Sequence, residues 1–227
     1  MKNLIILIML TVFYMGSAQE KTVYMWIDLT DEVLMDAHKE KAKEAAKMLF
    51  NSKSGLDGSI KFKIMGINHE LISNTQMIVN LPKGTSGSLC ITCQSKKERT
   101  NQVSKALNEL LRVIDEVQPI AIYETRIYEN MNEELWNLSD ERGEKYAIVF
   151  SDLLENSPVT SMYSSGGADV SKIKFGADLS NINVYLIRSC RQEKDFNVMC
   201  DEAISFWRTA FRNHGVNPKV NSRFILK

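Results

Sequence analysis

The chain is short of the residues that disorder, nucleic-acid binding and nucleophilic catalysis call for. It has only four prolines among 227 residues and no low-complexity tract, which excludes a linker-rich or disordered chain. It has no excess of either charge, because 28 Lys and Arg balance 28 Asp and Glu. With no net field to draw in a polyanion, nucleic acid is excluded as an expected partner. Its three histidines, His38, His69 and His214, stand at no spacing that suits zinc, and none is placed to serve as a general base. No G-x-S-x-G turn is present, so a serine or cysteine hydrolase has neither its nucleophile elbow nor its base. No glycine follows the first hydrophobic strand in Asp28-Leu29-Thr30, which excludes a dinucleotide fingerprint and a P-loop.

Long apolar runs are also missing. The longest, residues 4–14, falls short of the roughly 20 residues that span a bilayer. It follows Lys2 and precedes Gly16-Ser17-Ala18, the layout of a secretory signal peptide over residues 1–18, with cleavage before Gln19. No cysteine follows the cleavage point, which argues against a lipoprotein. The mature chain, residues 19–227, is then expected to be exported (periplasmic, at the cell surface or secreted) and to hold no membrane span.

Cysteine is scarce as well: Cys90, Cys93, Cys190 and Cys200. An oxidising compartment would favour disulfides. A bridge from Cys190 to Cys200 closes a loop worth about 3 kcal/mol on the chain-entropy model. Cys90-Ile91-Thr92-Cys93 lies in a strand-like stretch, whereas a redox C-x-x-C opens a helix and a zinc site needs two further ligands. The pairing of the four stays open.

What is present is an alternation of hydrophobic periods. Residues 22–28, 145–150 and 182–187 read as buried strands, the first two as nearly continuous apolar runs suited to a parallel sheet covered on both faces. Residues 59–65 begin with strict alternation, as expected nearer a sheet edge. Residues 76–81 and 88–92 read as edge strands, and 222–226 as a last strand. Helices are predicted over 31–50, 98–117, 126–138 and 195–214, from apolar residues at 3.6 spacing and flanking stop signals, with Thr125 as N-cap of the third. The order implies one doubly wound, mostly parallel α/β domain with helices on both faces, and no second domain. Residues 156–181 form a long connection whose Ser164-Ser165-Gly166-Gly167-Ala168 reads as a mobile loop. Met162, Tyr163 and Phe175 are its candidate apolar contacts, with a partner or with the sheet itself.

Two strands end in aspartate: Ile27-Asp28-Leu29-Thr30-Asp31 and Phe150-Ser151-Asp152-Leu153-Leu154-Glu155-Asn156. In open α/β sheets, ligands bind beyond the carboxyl ends of the strands, where the winding reverses. If these strands are neighbours, Asp28 and Asp152 flank one crevice, a set of hard oxygen donors suited to Mg²⁺, Mn²⁺ or Ca²⁺. The alternative is that Asp28, Thr30, Asp31 and Thr125 cap helices and Asp152 caps the segment after its strand.

A hydrophobic strand, D-x-T, a long helix, and a second strand ending in Ser-Asp together resemble a von Willebrand factor A-like domain, in layout over most of the mature chain. That family builds a metal-ion-dependent adhesion site from D-x-S-x-S, a threonine on a second loop and an aspartate on a third. The resemblance implies Asp28, Thr30, Thr125 and Asp152 as metal ligands, with a protein partner's carboxylate in the open position and no catalytic residue. The match departs from the pattern at Glu32, which replaces the second serine and would either rescue coordination or block it. Two other functions compete with a protein-binding module. One is a metal-free structural subunit of an envelope assembly. The other is a metal-dependent phosphohydrolase of the haloacid dehalogenase-like kind, whose second aspartate is replaced here by Thr30.

Overall fold

A computed structural model describes residues 20–52, 58–69, 74–83, 95–120 and 124–226. The expected signal peptide, the Cys90/Cys93 pair and the edge strand over 88–92 lie outside them. The described elements are β1 (Glu20–Asp28), α1 (Met35–Asn51), β2 (Ser59–Ile67), β3 (Asn74–Leu81), α2 (Lys96–Glu116), α3 (Ile127–Ser139), β4 (Glu144–Ser151), β5 (Ile182–Arg188), α4 (Lys194–Arg212) and β6 (Lys219–Asn221). A 3-10 turn covers Val170–Lys172. The strands form one sheet in the order β3-β2-β1-β4-β5-β6. Every pairing is parallel except that of β3 with β2. This is the doubly wound α/β architecture, with its switch point between β1 and β4.

Alternate residues of each strand face opposite sides, and both sides are covered. Val23, Met25, Ile27, Ile148 and Phe150 pack with Ala42, Ala45, Ala46 and Leu49 of α1 and Leu110 and Ile114 of α2. Tyr24, Trp26, Ala147 and Val149 pack with Met131 and Leu135 of α3 and Trp207 and Phe211 of α4. The three buried alanines of α1 let that helix lie close on the sheet. Eight of the nine β1 residues are buried, Lys21, Thr22 and Asp28 among them.

Three sequence expectations are corrected. The last strand is Lys219–Asn221, paired parallel to β5, while Phe224, inside the expected strand, packs into the core instead. The alternating segment β2 lies nearer the edge than β1, beside the edge strand β3, as its pattern predicted. The first helix begins at Met35, not at Asp31, because Asp31 Oδ1 accepts from the amides of Val33 (2.9 Å) and Leu34 (3.2 Å) and holds a turn there. Thr125 is not an N-cap: that position falls on Arg126, which makes no side-chain cap.

The connection after β4 is packed in part, while its Ser164-Ser165-Gly166-Gly167 tract is exposed. Phe175 stacks on Phe211 with ring centroids 4.9 Å apart and meets Tyr128 edge-on. Met162 is partly buried against the same core, whereas Tyr163 is exposed. Of the two alternatives for these residues, packing on the chain's own sheet describes Phe175 and Met162. Cys190 and Cys200 form a disulfide that ties the segment after β5 to α4.

Candidate functional site

The ladder of β1 with β4 runs to Ile27 opposite Phe150, so Asp28 and Ser151 emerge at the same level at the switch point. Beyond Asp28 the chain turns over β2, where Leu29 N donates to Ile67 O. Gly66 makes that turn fit: a Cβ on it would lie 2.2 Å from Leu29 Cδ1.

Asp28 is 1% exposed and is the centre of a directed hydrogen-bond chain. Its Oδ1 accepts from Thr30 N (3.0 Å) and Thr30 Oγ1 (2.7 Å), and its Oδ2 accepts from Ser151 Oγ (2.6 Å). Thr30 Oγ1 also lies 2.6 Å from Thr125 Oγ1. A hydroxyl has one proton, and that of Thr30 is committed to Asp28, so Thr125 is the donor in this contact. Asp152 joins through Ser151, whose Oγ is 3.4 Å from Asp152 Oδ1. The same Asp152 oxygen accepts from Leu154 N at 2.9 Å.

Thr125 is placed from two sides. Its N–H and C=O pair with Asn156 at 3.1 and 2.9 Å, and the next amide, Arg126 N, donates to Asn68 O at the end of β2. Asp152 is placed by a strained loop. Leu153 is buried with φ of 69°, a left-handed conformation that costs a non-glycine residue about 1–2 kcal/mol. Leu153 N donates to Ser151 Oγ (2.8 Å) and Trp207 Nε1 donates to Leu153 O (3.0 Å), which fixes the turn.

The site has more negative charge than its surroundings balance. Burial, then the neighbouring Asp28, pushes the Asp152 carboxyl up to about 8, against the opposing Leu154 amide and Ser151 hydroxyl. Asp31 is also at the rim and is met bidentately by Arg191, with both contacts at 3.1 Å. The Arg191 guanidinium lies over the Phe196 ring. His38 reaches toward Asp28 O through Nδ1 (3.3 Å), and its burial outweighs Asp28 in lowering its pKa.

The four sequence-derived residues thus enter one network: Asp28, Thr30 and Thr125 in direct contact, Asp152 through Ser151. Glu32 is exposed, and the third hydroxyl of the cluster comes from Ser151. Among the described residues, no three His, Cys, Asp or Glu side chains gather as a metal-ligand group, so the donor set is two carboxylates with three hydroxyls. Its contacts of 2.6–2.7 Å are ordinary O–H···O hydrogen bonds. Donor type, all oxygen with two carboxylates, is of the kind that a hard divalent cation takes. Sequence reasoning missed Ser151, Arg191 and His38 as site residues. Ser151 had a readable signal in its place beside Asp152 at a strand end, whereas Arg191 and His38 had none.

No protein-family model matches the chain, and no curated protein matches it in sequence. Solved structures do. The pilus adhesin SpaC from Lactobacillus rhamnosus GG aligns at a TM-score of 0.53 and 9% identity, over 90% of this chain and 28% of the adhesin. An aerotolerance-related membrane protein from Bacteroides fragilis NCTC 9343 aligns at 0.44 and 13% identity, over 91% and 92% of the two chains. The ArnB paralog VWA2 from Sulfolobus acidocaldarius aligns at 0.45 and 7% identity, over 92% of this chain and 42% of its own.

Proposed function

On the premise that this fold is von Willebrand factor A-like, we propose that the domain is an exported protein-binding module, not an enzyme, that works through the crevice between β1 and β4. The observation that carries this reading is the direct 2.6 Å contact of Thr30 and Thr125, which brings hydroxyls from two distant loops together above the buried Asp28. Such a convergence of oxygen donors at a sheet switch point, with surplus negative charge, suits a ligand-binding crevice. In this reading Asp28, Thr30, Thr125 and Asp152 hold Mg²⁺, Mn²⁺ or Ca²⁺. When bound, the cation supplies a Lewis-acidic contact for an acidic side chain of the protein partner. Ser151 orients Asp28, and Trp207 keeps the Asp152 loop in place. The exported setting rests on the charged start, apolar run and small residues of positions 1–18.

The test is isothermal titration of each cation into the purified mature domain beside Asp28→Ala and Asp152→Ala. Binding by the wild type that is lost in both folded variants supports the site. Equal affinity in wild type and variants would overturn the assignment. A second reading, a metal-free interaction module, is favoured by the hydrogen bonds that already occupy both oxygens of Asp28. Absence of binding by the wild type would select it.

A further inference from the structure

Below the crevice lies a second pair of carboxyls that the reading above leaves unused. Glu155 is fully buried. Its Oε2 accepts from Tyr128 N at 3.0 Å, which supplies the N-terminal cap that Arg126 does not give α3. Its Oε1 has no partner and is shut off from solvent, and the same holds for Glu129 Oε2 in the first turn of that helix. The Glu129 carboxyl lies within hydrogen-bonding reach of Glu155, and solvent-free carboxyl oxygens without other partners are costly there when both groups are charged. One proton between them turns one oxygen into a donor for the other and removes both penalties. Burial, with the Glu129 charge, pushes the Glu155 carboxyl well above the usual carboxylate range, against the Ser157 hydroxyl and the Tyr128 amide.

The other groups nearby leave that proton to the pair. On the segment leading into α3, Glu124 is already engaged by Arg126 at 2.6 Å. The Tyr128 hydroxyl is turned outward to Lys174 O. On its own loop Glu155 has the hydroxyl of Ser157, which donates to Thr160 O. The residue after Glu155 is Asn156, whose two backbone bonds hold Thr125 against Thr30. A change of charge at Glu155 therefore acts one residue from the bridge that positions Thr125.

We propose that Glu155 and Glu129 share a single proton as a clasp between α3 and the loop after β4, and that losing this proton loosens the Thr125–Asn156 bridge. Glu155 is then a positioning residue for Thr125. This inference concerns the apo protein and stands whether or not a cation binds at Asp28 and Asp152.

The experiment follows carbon-13-labelled glutamate carboxyls by NMR through a pH titration of the purified protein, so that aspartates stay silent. Amide exchange of Thr125 and Asn156 is measured in the same samples. One glutamate carboxyl should titrate far above the others and vanish from that range in Glu155→Gln. Across its titration the protection factors of the two amides should fall about tenfold relative to Met25 in β1, the change carried by one pKa unit of differential interaction. Glu129→Gln, which puts an amide donor where the proton was, should keep both amides protected throughout. Glutamates that all titrate in the ordinary range would overturn the proposal. So would a high-titrating glutamate whose ionisation leaves the two amides equally protected.

Discussion

The two ends of the central strands treat charge in opposite ways. At the start of the sheet each lysine of β1 and β2 has a carboxylate beside it. Lys21 lies 3.5 Å from Glu144, Lys61 pairs with Glu141, and further along β2 Lys63 pairs with Glu134 at 2.5 Å, over the Tyr24 ring. At the carboxyl end, Asp28, Asp31 and Asp152 converge with Arg191 as their cationic neighbour, and hydroxyls fill the remaining positions. The strands themselves begin with charged residues, Glu20-Lys21 in β1 and Glu144-Lys145 in β4, and turn apolar toward Asp28 and Ser151, so the polar groups of the carboxyl end come from the last strand residues and the loops beyond them. The charges are paired at one end, while at the other the carboxylates outnumber the cationic groups beside them and are held by hydroxyls.

Breaking a balanced pair should cost most. Glu134→Ala leaves the Lys63 ammonium buried without its counter-charge, and the expected loss is about 3–5 kcal/mol in urea unfolding. Ser151→Ala, at the other end, takes a donor from Asp28 and an acceptor from Leu153 N, for about 1–3 kcal/mol. Asp152→Asn should go the other way at neutral pH and above without divalent cations, stabilising by on the order of 1 kcal/mol. A loss as large as that of Glu134→Ala would show that the two ends do not differ.

The pH dependence sharpens the contrast. The Asp152 carboxyl is raised in the fold to about 8 from 3.8, so the folded state holds a proton that the unfolded chain releases. Its contribution to stability is full below about pH 4 and is lost as pH rises toward 8. Thermal unfolding with chelator should therefore show the wild type losing midpoint temperature from pH 5 to 8 more steeply than Asp152→Asn. Glu155 contributes in the same direction in both proteins. A saturating divalent cation should flatten or reverse the wild-type slope, because it favours the carboxylate.

Much of this fold was legible because burial writes itself into hydrophobic period. Residues 22–28 and 145–150 read as parallel strands since both their faces are covered. The ends of elements were less legible. The second helix begins two residues before its expected start because Ser95 and Glu98 form a reciprocal capping box, a pattern present in the sequence and left unread. The last strand was misplaced because Phe224 answers to the core, not to a ladder. At the site, the acidic strand ends carried a local signature, so Asp28, Thr30 and Asp152 were readable. Thr125 was readable as a candidate, but its contact with Thr30 bridges 95 positions and depends on Asn156 and Asn68, which no local pattern links to it. Arg191 reaches Asp31 across 160 positions, from a segment tethered by the Cys190–Cys200 disulfide.

Strand order also has a meaning in time. β1 is synthesised first, yet it lies at the centre of the sheet, and one of its sides stays open until β4 arrives to pair Lys21 with Glu144. Closing so long a loop gives nothing back until the ladder forms, which makes such a sheet slow to nucleate and exposed while it waits. The cluster around Asp28 needs Ser151, the last residue of β4, for one of its hydrogen bonds. The crevice is therefore complete only once β4 has paired with β1, two strands far apart along the chain.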